Sequence, residues 1–533
     1  MLILLILCSL VVPSHTATEL LQNADFEQDI SGHWHCNGCT VTKSSTHYHG
    51  NYSAMVTHRF KEEILNMLPS CIAEKVLKKK ANWAGLQQTL SVTGGKTYVY
   101  RGYIKVLNTL SGHMYHTMDL MARMSVNGHN KFTLMSRMLY LRKDLGWVEI
   151  GGDITIPDGT SSIVIYPQIS EPDINYLLDD MSFQELPVDN NFKNEAKSRI
   201  EKIRKSDIHI SLQNPHSLDT SNMEIEKKTY CIATEYILIK YQNFIYNNFE
   251  YAVIKNKLKW RLIEWTRWYV ESFLNSRIKV RGHCMFWDVN GHSPAWLDGL
   301  SKTDMLSEMH KRVNDTINHT RGTLVHWDVN NENLHGDYFE KHLGNPDITA
   351  KMFHWMHAAE PNPYKAQAVG LKAAGVPISG IGIQGHFHSS DFDINIVKAG
   401  IPIWITEMSV SDHDDHKKAE TIENLLTLYF SHPSVHGVLF WGFWDGDIGH
   451  NVNALATGAN VTPNAAGLRY QQLRQSWTSN FRQSLAHARD GLSFRGFHGE
   501  YELKVKKNGH VIETKTFSLG PNGNNVTINL QGS

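Results

Sequence analysis

At 533 residues the chain is too long for one hydrophobic core, so two or three domains are expected. Its 52 basic and 53 acidic residues nearly cancel, and no net field recommends nucleic acid or an anionic membrane surface as a partner. A 41% hydrophobic, 20% charged composition is that of ordinary globular protein.

The chain begins with an apolar run, Leu2 to Leu7, followed by Val11-Val12-Pro13. A bilayer needs about 20 apolar residues, and this run is too short to cross one. Residues 1–17 fit a secretory signal without the usual basic residue. The alternative, a buried N-terminal helix, conflicts with the break into Pro-Ser-His-Thr-Ala. Glycosylation triplets at Asn51, Asn314, Asn318, Asn460 and Asn525 are compatible with export. No later segment has the length and apolarity of a membrane anchor, so the expected product is secreted and extracellular. Cys36 and Cys39 flank Asn37-Gly38, a turn that a local disulfide can close. Cys71, Cys231 and Cys284 then leave an odd thiol.

Residues 18–187 read as a β-sandwich. Thr97–Ile104 and Ser162–Pro167 alternate apolar and polar side chains, with Gly94-Gly95 and Pro157-Asp158-Gly159 as turns between strands. Residues 61–80 do not fit that rhythm; their spacing is helical where a loop is due. From 188 to 485, short apolar strands alternate with helical stretches, as in βα units. The candidate strands are Asp207–Leu212, Phe249–Ile254, Ile278–Phe286, Thr323–Val329, Gly380–Gln384, Ile401–Thr406 and Val438–Trp441. A (β/α)8 barrel wants eight strands, and these are seven. The gap falls after the fourth, where helical stretches Ile348–Ala359 and Tyr364–Ala374 meet across Glu360-Pro361-Asn362-Pro363. The fifth strand is therefore missing or irregular. Residues 486–533 alternate again and are expected to form a small C-terminal β-module.

In a barrel the C-terminal ends of the strands face the active site. Here those ends carry Arg281-Gly282-His283 with Trp287, Trp327-Asp328-Val329-Asn330-Asn331-Glu332, Gln384-Gly385-His386, Thr406-Glu407, and Trp441. Two glutamates on opposing strands are what glycosidic cleavage needs, one to protonate the leaving oxygen and one to attack the anomeric carbon. Asn331 can bond a sugar hydroxyl, His386 can hold Glu407 ionised, and rim tryptophans offer flat apolar faces to sugar rings. The plain alternative makes Glu332 and Glu407 solvated loop carboxylates. His386 and His388 can share a face of one strand, but no third ligand stands at a recognisable spacing. No metal and no cofactor are expected.

Residues 195–480 resemble glycoside hydrolase family 10, the endo-β-1,4-xylanases. The resemblance rests on Arg281 to Trp287, Trp327 to Glu332, Gly382 to Phe387 and Ile405-Thr406-Glu407, in that order. It implies a (β/α)8 fold, net retention and a linear xylan-type substrate, with Glu332 as acid/base and Glu407 as nucleophile. It also places Asn256, Lys259, His283, Trp287, Asn331, Gln384, His386 and Trp441 at sugar-contacting positions. Around Asn23 to Glu27 and Leu177 to Met181, the N-terminal region resembles the family 4/9 carbohydrate-binding modules, with Trp83 and tyrosines as candidate stacking residues.

The chain departs from the family pattern at Lys255, Asp288 and Ser409, besides the fifth strand. The expectation is a secreted, retaining endo-β-1,4-xylanase acting as a monomer on polysaccharide, without nucleic-acid or membrane partners. The alternatives are a β-1,4-glucanase of the same fold and a catalytically impaired carbohydrate-binding protein.

Overall fold

The computed structural model describes residues 18–64, 76–80, 82–126, 128–186, 191–213, 219–227, 237–253, 256, 258–262, 278–333, 336–359, 380–388, 402–449, 452–479, 481–486 and 491–530. The first of these form two five-stranded antiparallel sheets. One runs in the order His35–Asn37, Gly85–Ser91, Ser162–Ile169, His116–Val126, His129–Leu141. The other runs Trp147–Thr155, Thr97–Val106, Tyr176–Glu185, Ser53–Thr57, Thr40–Ser44. Strand alternation decides the packing: along His116–Val126 every second side chain is buried, sending Met118, Leu120, Ala122 and Met124 into the shared core. Cys36 and Cys39 are joined by a disulfide.

Helical spacing at 61–80 is overruled. Phe60–Ile64 and Val76–Lys80 pair as antiparallel strands, with Glu62 opposite Lys78 in register, while 65–75 lie outside the described residues. Cross-strand pairing outweighs a short run of helical periodicity.

Six of the seven expected barrel strands lie in parallel ladders. Tyr251–Val253, Lys279–Gly282 and His326–Trp327 form one, continued by Phe286–Trp287 beside Asn330–Asn331. Ile381–His388, Ile403–Ser411 and Val435–Phe440 form the other. Helices Lys302–Thr320 and Asp415–Ser431 start where side chains accept the first orphan N–H groups: Ser301 from Asp304, and Asp414 from His416 and Lys417. Met305, Met309, Val313 and Ile317 recur at helical spacing on the first and are buried against Met285 and Phe286. Helix Ile348–Ala359 is present as expected; its companion stretch Tyr364–Ala374 lies outside the described residues. Among the described residues no strand stands between Asn331 and Ile381.

The seventh expected strand belongs elsewhere. Lys205–Gln213, which contains Asp207–Leu212, pairs antiparallel with Leu492–Phe497 and parallel with Asn524–Asn529. Met223–Lys227 likewise joins Gly499–Lys507 and Arg482–Ser484. The two small sheets enclose one core containing Ile208, Ile210, Ile225, Leu503, Val505, Val526 and Ile528. The 486–533 module is therefore not a separate unit. It is half of a small β-sandwich whose other half precedes the parallel strands in the chain. The reason is visible in the burial of Lys205–Gln213: Ser206, Ile208 and Ile210 face inward while Asp207, His209 and Ser211 are exposed. A strand of a parallel barrel is covered on both faces, and this one is apolar on one face only.

Candidate active site

The strand ends bring two carboxylates under close control. Phe286–Trp287 pairs in register with Asn330–Asn331, which sets Trp287 beside the residue preceding Glu332. The Trp287 indole N–H donates to Glu332 Oε2 at 3.0 Å, and the Gln384 amide donates to Oε1 at 3.0 Å. Both carboxylate oxygens thus have a fixed donor. Glu332 adopts φ 55°, the left-handed region that a side chain enters at a cost of about 1 kcal/mol. Such strain persists where surrounding bonds over-determine the residue, as they do here.

Glu407 sits mid-strand and is buried, 5% exposed. Its two oxygens face two imidazoles: His386 Nε2 at 3.5 Å from Oε2 and His283 Nε2 at 3.8 Å from Oε1. These are longer than hydrogen bonds. Each imidazole is held from behind. His386 Nδ1 lies 2.7 Å from Ser409 Oγ, its neighbour across the parallel ladder. His283 Nδ1 lies 2.9 Å from Asp328 Oδ2, an oxygen that also accepts from Arg281 Nη2 at 2.7 Å. Burial alone raises a carboxylate's pKa, yet Arg281 and His283 outweigh it and hold Asp328 well below the usual range.

Lys259 completes the cleft. Its ammonium stands 3.9 Å from the Trp287 ring centre and 5.6 Å from that of Trp441. Burial lowers its pKa from the ordinary value, against the carboxylates of Glu407, Glu332 and Asp328, which favour the cation. The wall behind is fastened by Arg312, 5% exposed, which donates to the carbonyls of Leu258, Cys284 and Met285. Burial brings its guanidinium down to about 10, where it remains charged. Gly282 admits the Trp327 ring; a Cβ there would meet it at 2.4 Å.

Of the expected sugar-contacting residues, Lys259, His283, Trp287, Asn331, Gln384 and Trp441 stand in this arrangement. Asn331 is 5% exposed, and the Trp441 ring packs edge-on to His283 at 5.7 Å. His386 is present with its ring 44% exposed. Asn256 is exposed, and its carbonyl accepts from Lys259 N at 3.2 Å. Lys255 lies outside the described residues. In the sandwich, Trp83 is half-buried.

Sequence reasoning missed a second carboxylate pair. Asp288 and Glu340 are 0% and 1% exposed, and the charge of Asp288 acts on Glu340. Asp288 accepts from Asn330 Nδ2 at 3.0 Å and Phe339 N at 3.1 Å, and Glu340 from Thr349 Oγ1 at 2.8 Å. Burial, together with each carboxyl's negative neighbour, pushes the pair up so that it keeps a proton beyond the usual range. The Asp288 N–H donates to the Asn331 carbonyl, one residue before Glu332, so this pair braces the loop of the first carboxylate. Asp288 stood out in the sequence as a departure, but nothing there pointed to Glu340.

The model of glycosyl hydrolase family 10 matches residues 220–463. Endo-1,4-beta-xylanase 3 of Arabidopsis thaliana is 30% identical over 435 residues, covering 72% of this chain and 57% of that protein. The anti-sigma-I factor RsgI6 of Acetivibrio thermocellus is 31% identical over 372 residues, covering 61% and 48%. The chain spans about half the length of these relatives. Among solved structures, the CBM22-1–GH10 modules of Clostridium thermocellum xylanase 10B, complexed with xylohexaose, are 14% identical at TM-score 0.39, covering 85% of this chain and 97% of that one. The CBM22-1 xylan-binding domain of Paenibacillus barcinonensis Xyn10C is 18% identical at TM-score 0.25, covering 33% and 100%. The module family given for both is 22, where the sequence resemblance pointed to 4/9.

Proposed function

We propose, from the premise that this chain carries a glycosyl hydrolase family 10 domain over residues 220–463, that it is a secreted endo-β-1,4-xylanase acting with retention. A family 10 domain is a (β/α)8 barrel, and the parallel ladders are its wall. In the proposed reaction Glu332 gives its proton to the glycosidic oxygen while Glu407 attacks the anomeric carbon. The C–O bond breaks, the leaving chain departs with the proton, and a glycosyl ester remains on Glu407. Glu332 then takes a proton from water, whose oxygen displaces Glu407 and restores both carboxyls. His283 and His386 keep the departing Glu407 carboxylate in place, and Lys259 between two tryptophans receives the sugar.

The single observation that carries this reading is the unequal environment of the two glutamates. One is gripped by neutral donors, Trp287 and Gln384; the other faces two imidazoles. Different surroundings for two carboxyls are what an acid and a nucleophile require.

The test is release of reducing ends from soluble xylan, with carboxymethyl cellulose beside it, by the protein and its Glu407→Ala variant. Turnover of xylan that falls by at least about a thousandfold in the variant supports the assignment. Faster turnover of carboxymethyl cellulose would move the substrate to glucan. Binding of xylan without turnover by either protein would make this a carbohydrate-binding protein.

A further inference from the structure

We propose that His113, His116 and Glu171 form a transition-metal site, with zinc as its occupant, at one end of the N-terminal sandwich. Their ligand atoms lie within 4.8 Å of one another. His116 Nδ1 is 2.8 Å from Glu171 Oε2, and His113 Nδ1 is 3.6 Å from Oε1. Zinc holds imidazole nitrogen and carboxylate oxygen at about 2.0–2.2 Å, so neighbouring ligand atoms on a tetrahedral ion stand about 3.3–3.5 Å apart. The widest separation in the cluster, up to 4.8 Å, must then close by about 1.3 Å, a movement open to His113 on its exposed loop.

The support beneath the cluster is that of a built site. His116 is 2% exposed and opens the strand His116–Val126. Glu171 follows the adjacent strand Ser162–Ile169. Arg59, also 2% exposed, fastens that turn by donating to the carbonyls of Ile169 at 2.9 Å and Glu171 at 3.0 Å. Two ligands are thus held by the sheet and its buried cation. The third, His113, comes from the exposed loop before the strand, its ring 44% exposed and lying 5.6 Å from that of His116. A simple His116–Glu171 hydrogen bond explains two of the three groups but gives no reason for His113 to converge. Two imidazoles and one carboxylate suit zinc and its neighbours rather than calcium or magnesium, which take oxygen ligands. Three protein ligands leave a fourth position for water.

The loop also carries Tyr115, whose hydroxyl donates to Asp337 on the barrel, five positions beyond Glu332. A bound ion would tie together the strand, the turn and the loop that meets the barrel.

The experiment is a calorimetric titration of zinc into the chelator-stripped whole protein at neutral pH, with thermal melting alongside. The His113→Ala variant removes an exposed ligand and leaves the sandwich core untouched. His129→Ala, another exposed histidine of the same sandwich, is the control. The proposal expects one saturable zinc per chain, affinity lower by at least about tenfold in His113→Ala, and none of that loss in His129→Ala. It also expects zinc to raise the melting temperature of the native protein more than that of His113→Ala. Equal uptake by the native protein and His113→Ala, or no saturable uptake by the native protein, would overturn it.

Discussion

Trp287 and Glu332, 45 residues apart in the chain, are joined by an indole N–H···Oε2 hydrogen bond of 3.0 Å. The bond exists because Phe286–Trp287 and Asn330–Asn331 are neighbours in a two-stranded parallel ladder. It makes one aromatic side chain both a platform beside Lys259 and the clamp on a carboxylate.

Trp287→Phe separates those roles, keeping a ring and removing the donor. A hydrogen bond between neutral groups contributes about 0.5–1.5 kcal/mol, so kcat/KM on xylan should fall by about 2- to 10-fold. Steady-state kinetics on a variant with an unchanged circular dichroism spectrum checks this. An unchanged kcat/KM would mean that Gln384 alone positions Glu332.

Asp328 neutralises a buried guanidinium. Asp328→Asn leaves Arg281, 3% exposed, without its charge partner, and should destabilise the protein by about 3 kcal/mol. The pH dependence has a definite sign. Because the folded pKa of Asp328 is depressed, its stabilisation is present above the ordinary carboxylate range and is lost as pH falls through the folded value. Denaturant melts at neutral and acid pH should show that loss in the native protein and not in the variant.

Asp288 and Glu340 predict the opposite trend. Their pair keeps a proton in the folded state that the unfolded chain has released, so stability falls as pH rises from the ordinary carboxylate range through neutrality. Glu340→Gln supplies the neutral partner permanently and should flatten the melting temperature across that range. A parallel decline in the variant would place the alkaline sensitivity elsewhere.

Ending the chain at residue 485 should not give a trimmed but sound protein. Ile208, Ile210, Met223 and Ile225 would lose the core partners Leu503, Val505, Val526 and Ile528. Each fully buried aliphatic side chain contributes about 1.5–3 kcal/mol, and loss of several exceeds the margin of a small domain. Aggregation on expression, or a much lower melting temperature, is the expected result.

What the sequence made legible follows a physical pattern. Strands such as Thr97–Val106 and Ser162–Ile169 were readable because alternation over neighbouring residues is a local signal. The grouping at strand ends was readable because a barrel sends those ends to one face. Pairings across great sequence distance were not. Lys205 meets Phe497, and the apolar residues of its strand match those of a barrel strand, while the exposed Asp207, His209 and Ser211 between them mark it as covered on one face only. The Asp288–Glu340 pair was hidden for a related reason: Glu340 lies on a short helix, Tyr338–Leu343, where a glutamate ordinarily faces water. Helical spacing at 61–80 misled because its flanks find each other as strands.

The most direct test of the two-glutamate account is the configuration of the first product, followed by proton NMR as a xylo-oligosaccharide is cleaved. Double displacement through Glu407 predicts that the β-anomer appears first and the α-anomer follows by mutarotation. Initial release of the α-anomer would contradict the account, because it would mean a single displacement by water and no glycosyl ester on Glu407.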